Sequence, residues 1–292
     1  MKRLLPACAA LLLSVPCRAE PQCPPPGSGG VSTNWGVDYR ERVQDVFDAA
    51  KAAAGDGLDP HLSLININDL PKQGSMRMVD GSPLSALQKG TLGLPNDAVI
   101  YTFGIFEIAC DEAQLATFML HEMRHVKRGP DGKNHLDRVH ECRQKILTDW
   151  LAHTDVTAYY PAAATGDAVK DAAAKKAGDQ AAMAAFQKAK GNEVSVTCVK
   201  PVENEADAFA FATAPKLPYK VTAGDPNRDK RVEVFRNAEK WLDALGLSQD
   251  DPGHGTLADR AAEAKRVARE EKQKAQADES AKRMQSLMPT GE

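Results

Sequence analysis

The chain has 292 residues, of which 42% are hydrophobic and 26% charged, with a formal net charge of −3. That is enough for one large domain or two small ones with a sizeable core, and the slightly acidic balance gives no sign of a nucleic-acid partner. No apolar run is long enough to cross a membrane.

Lys2 and Arg3 precede an apolar run from Leu4 to Val15, and Cys17 and Ala19 are small residues at the −3 and −1 positions of a cut before Glu20. Residues 1–19 read as a secretory signal peptide, so the chain is expected in the periplasm or outside the cell. A lipoprotein is the weaker alternative, because Val15-Pro16 before Cys17 and Pro21-Gln22 before Cys23 are poor acylation contexts. Removing Lys2, Arg3 and Arg18 takes the net charge from −3 to −6. Cys23, Cys110, Cys142 and Cys198 remain, an even number that predicts two disulfides with three possible pairings. We expect Cys142 with Cys198 and Cys23 with Cys110. No Cys-x-x-Cys pair exists, so thiolate zinc ligation is not expected.

Residues 20–34 are rich in Pro, Gly and Ser and form a flexible lead-in. Apolar residues at helical spacing predict an amphipathic helix over about 35–54. Alternation over His61 to Ile67 predicts a strand, 70–95 is loop-like, and the β-branched and aromatic stretch 98–106 predicts a second strand or strand pair. A helix follows through Gln114 to Leu120, with Asp111 and Glu112 near its positive end. Further helices are expected at about 134–153, 203–213 and 232–245. An Ala/Lys/Asp-rich, exposed helical insertion with little core is expected at about 162–192, and Val194 to Val199 reads as extended. From Leu257 the chain is helical with both signs of charge interleaved, so 261–292 is expected to be a charged, solvated C-terminal helix.

The chemistry is carried by His121-Glu122-Met123-Arg124-His125. Two histidines four apart on a helix share a face and can reach one zinc ion. Glu122 between them can poise a water on that metal as general base. Chance produces this pattern in on the order of one per cent of chains this long, so a third ligand must be found. The metzincin continuation is excluded, because Arg128 and Asp131 stand where it needs Gly and His. Glu141, His135, His140 and His153 are possible donors, but a lone His or Glu on a charged helix is usually solvated. Glu203 and Asp207, four apart on a helix, are better placed. One carboxylate can bind the metal while the other accepts the free ring N–H of a ligand histidine. The bland alternative is an acidic first helical turn.

The runs Asn96-Asp97-Ala98, Gly104-Ile105-Phe106, Asp111 to Ala116 and His121 to Val126, with Glu203 to Asp207 and His254 to Arg260 downstream, resemble the gluzincin metallopeptidases. The nearest group is the family of the CAAX prenyl protease, the heat-shock protease HtpX and the periplasmic BepA-type proteases. The resemblance covers about 96–126, 203–213 and 254–264. Arg124 stands where the family usually has Gly, and Gly255 replaces the Pro of its His-Pro-x-x-x-x-Arg segment. The resemblance implies Glu203 as third zinc ligand beside His121 and His125, with Asp207 and Arg260 supporting the site. It implies that His254 stabilises an oxyanion or occupies the open metal position. The expected fold is α+β, a zincin-like domain over 35–260 that is mostly helical with a small sheet. The expected function is an exported zinc metalloendopeptidase, binding one Zn2+ and acting on protein or peptide substrates. The alternative is a zinc-stabilised, chaperone-like periplasmic binding protein.

Overall fold

The structure is a computed structural model that describes residues 35, 39–55, 61–65, 91–94, 98–102, 108–160, 166–221, 225–244, 253 and 255–287. The expected signal peptide, lead-in, Cys23 and His254 lie outside these residues. The helices are α1 (Tyr39–Ala54), α2 (Glu112–Val126), α3 (His135–Ala152), α4 (Ala168–Val194), α5 (Lys200–Thr213), α6 (Lys230–Ala244) and α7 (Leu257–Leu287). Among the described residues, no helix is long and apolar enough to cross a membrane.

The expectation of an α+β zincin-like domain is corrected here, because helices carry this fold. Three short strands, β1 (His61–Ile65), β2 (Thr91–Leu94) and β3 (Ala98–Thr102), pair in the order β1-β3-β2. β1 runs parallel to β3 and β2 antiparallel to it. Leu62 of β1 packs against the core partly buried. The alternating patterns mark places where strands can pair, whereas class is decided by which elements bury one another's apolar faces.

The main core is built by α1, α2, α5, α6 and α7, around Phe47, Leu115, Met119, Leu120, Phe211, Phe235 and Ala264. Phe118 and Phe211 each meet the Phe235 ring edge-on, at 5.9 and 5.8 Å between centroids. α2 is its centre, with buried residues on every side from Ala113 to Val126. A helix enclosed all round can hold polar side chains away from water only if each finds a partner. Its entry is fixed by Asp111, whose side chain accepts from the Gln114 N–H at 2.9 Å. Asn134 and Asp137 form a reciprocal capping box that starts α3.

A second cluster joins α3 to α4 and α5 through Val139, Trp150, Phe186, Cys198 and Val202. The segment expected to be an exposed insertion with little core therefore supplies Phe186, which is fully buried and packs edge-on to Trp150 at 5.6 Å. Cys142 and Cys198 are disulfide-bonded, with 5.6 Å between their Cα atoms. Cys110 is disulfide-bonded as well. The expectation of an extended 194–199 is also corrected: Ser195–Val199 is a π-helical turn that makes α4 and α5 one continuous helical run. Valines and a threonine suggested a strand, but helix on both sides and the cross-link to α3 hold the segment helical. Pro201 sits just beyond, and its missing N–H removes the usual helical donor for the Thr197 carbonyl, a situation that a wider turn accommodates. α7 runs unbroken through residues 260 and 261, burying Ala261, Ala264 and Ala268 before it becomes exposed.

Candidate metal centre

α2 and α5 pack side by side and turn two i, i+4 pairs toward each other: His121 with His125, and Glu203 with Asp207. His121 Nε2 is 3.0 Å from His125 Nε2 and 3.2 Å from Glu203 Oε2, and His125 Nε2 is 3.4 Å from Glu203 Oε1. The donor atoms of the three residues all lie within 4.8 Å of one another, and among the described residues they are the one such group of three or more. Donors at zinc distances of about 2.0–2.1 Å stand roughly 3.3 Å apart when tetrahedral, and the three separations here, which reach different oxygens of Glu203, are close to that edge length. Two imidazoles and a carboxylate are also the donor chemistry that zinc takes in catalytic sites.

Behind this trio, His121 Nδ1 donates to Asp207 Oδ1 at 2.8 Å. Arg260 of α7 grips the same carboxylate with two bonds, Nε to Oδ2 at 2.7 Å and Nη2 to Oδ1 at 2.6 Å. Burial alone would depress the His121 pKa, but its bonds to Asp207 and Glu203 outweigh that and raise it to about 10. Burial alone would likewise raise the Asp207 pKa, but the Arg260 charge and the His121 bond hold it well below the usual carboxylate range. Proton and carboxylate are thus locked together, and His121 is presented with Nε2 toward Glu203.

Glu122 is buried beside His121 on α2. The other candidate ligands stand apart. Glu141 is exposed and paired with Lys133 at 2.5 Å, while His140 and His153 are exposed. Arg124 is bonded to Glu205 of α5 and to the Lys127 carbonyl. His135 is drawn into the site, at 3.0 Å from His125, though not as one of the three donors. Sequence reasoning missed this role and that of Glu205, because neither follows from spacing along one helix. The Gly129 to Gly132 turn that swings α3 back toward α2 was the nearest signal.

No family model, curated protein or solved structure matches this chain.

Proposed function

We propose that the chain is an exported zinc metallopeptidase, with His121, His125 and Glu203 as the metal ligands and Glu122 as general base. The observation that carries this reading is the convergence of those three donors on facing helices. Zinc held there would polarise a peptide carbonyl and acidify a water. Glu122, next in the chain to His121, would act as general base, taking a proton from the attacking water and passing it to the leaving amine. Asp207, clamped by Arg260, keeps the His121 proton on Nδ1, so Nε2 stays available as a ligand. Export is supported by the basic and apolar leader and by the Cys142–Cys198 cross-link, which suits an oxidising compartment.

The second reading, a zinc-stabilised binding protein, is favoured by one observation. His121, Glu122 and Glu203 are only 5–7% exposed, so a peptide must approach through the more open His125 side. Metal analysis and cleavage of an unfolded protein substrate separate the two. Wild type should hold about one zinc per chain, and Glu122→Gln should keep the zinc while cleavage falls by about 100-fold or more. Zinc without any cleavage in wild type supports the binding protein. A chain that takes up no zinc removes both readings.

The raised His121 pKa sets the pH dependence of zinc uptake. Without metal, His121 is protonated at neutral pH, and ligation must displace that proton. Apparent affinity should therefore rise roughly tenfold per pH unit from about pH 7 toward 10, with one proton released per zinc. Calorimetry in buffers of different ionisation enthalpy counts that proton. Affinity that is flat across this range would show that zinc does not displace a proton from His121.

A further inference from the structure

His135, in the first turn of α3, is 2% exposed, and its Nδ1 stands 3.0 Å from the Nδ1 of His125. The two rings meet edge to face, with centroids 5.1 Å apart. On the far side, His135 Nε2 is enclosed and makes no aligned hydrogen bond, while Glu205 Oε2 lies 3.3 Å away. Glu205 is in turn gripped by Arg124 of α2 and, at 3.4 Å, by Arg138 of α3.

The proton positions along this line follow from valence. For His125 Nε2 to offer a lone pair beside His121 and Glu203, the ring proton of His125 must sit on Nδ1. That proton faces His135 Nδ1, which must therefore accept it. His135 then carries its own proton on Nε2, toward the Glu205 carboxylate.

The geometry points to His135 as a positioning residue that accepts the His125 Nδ1 hydrogen and so fixes the tautomer and ring angle of that ligand, with Glu205 behind it. This inference rests on the metal reading above. It gives the two ligand imidazoles different supports. Asp207 is a charged acceptor held by Arg260, whereas His135 is a neutral acceptor held against Glu205. Arg124 gains a role as well. From the turn between the two ligand histidines, it anchors the carboxylate that faces His135.

The test measures zinc dissociation constants of the full chain by competition with a chromophoric chelator, for wild type, His135→Phe and His135→Gln. Phe fills the space and accepts nothing, while Gln offers an amide oxygen. His135→Phe should weaken zinc binding by about 10- to 100-fold, and His135→Gln should recover most of it. Equal loss in both variants, or affinity in His135→Phe within about twofold of wild type, overturns the role. Should His135→Phe not fold, imidazole 1H–15N correlations on zinc-loaded wild type decide. His125 protonated on Nδ1 and His135 on Nε2 supports the role, and His135 protonated on Nδ1 overturns it. Absence of zinc binding in wild type would instead sink the metal reading, and this role with it.

Discussion

Glu203→Ala is expected to leave the chain folded and without zinc. Three protein donors converge on one point, and this substitution leaves two imidazoles. Zinc binding to four-ligand sites carries roughly 10–16 kcal/mol, so an even share per ligand is about 2.5–4 kcal/mol, on the order of a hundredfold in affinity. The metal should then be lost on dialysis against a chelator, and peptide cleavage with it. The fold should survive, because Ala206, Ala210 and Phe211 hold α5 in the core independently of Glu203. Glu141→Ala is the control: Glu141 is exposed and paired with Lys133, and its loss should leave zinc content unchanged. Wild-type zinc content in Glu203→Ala would move the third ligand elsewhere.

Arg231→Leu is expected to cost about 3–5 kcal/mol of stability, because it strands a buried charge. Arg231 is 0% exposed. Its guanidinium bonds Asp229 through Nε at 2.8 Å and Nη2 at 2.9 Å, Glu271 of α7 through Nη1 at 3.0 Å and Nη2 at 2.7 Å, and the Phe211 carbonyl at 2.7 Å. One side chain thus ties α5, α6 and α7 together. Leucine fills part of the volume but leaves the Asp229 carboxylate, itself 1% exposed, without its cation. Glu271 is partly exposed and can turn to water, so Glu271→Gln should be several-fold less costly. Urea denaturation of the metal-free chain measures both. A loss for Arg231→Leu below about 1 kcal/mol would mean that Asp229 finds another partner or takes up a proton. The same helix α7 carries Arg260, so the anchor also sets where Arg260 stands against Asp207.

Much of the candidate site was legible one helix at a time. The spacing of His121 and His125, and of Glu203 and Asp207, puts each pair on a single face whatever packs around it. The helices of 134–153, 203–213 and 232–245 lie within a few residues of their expected ends, since apolar periodicity and capping residues are local signals. Local signals also misled. Val194, Val196, Thr197 and Val199 have strand propensity, yet Ser195–Val199 forms a π turn, because helices on both sides and the Cys142–Cys198 link leave it no strand to pair with. Alternation over 61–67 and the β-branched, aromatic stretch 98–106 suggested an α+β class; strands do form at His61–Ile65 and Ala98–Thr102, but helices make up most of the described elements.

By itself, the sequence determined which side chains share a helix face, because 3.6 residues per turn is a property of the backbone. Only the tertiary structure decided which faces meet. α2 and α5 stand more than seventy residues apart in the chain, and burial of Leu120, Met123, Ala206 and Ala210 between helices, not any motif, brings Glu203 opposite the two histidines. The same holds for His135, whose place beside His125 depends on where α3 returns after the turn at Gly132. That return is set by Val139 and Trp150 burying themselves against Phe186 and Val202. Such contacts arise from the shape of the packed interior, which no spacing along a single segment encodes.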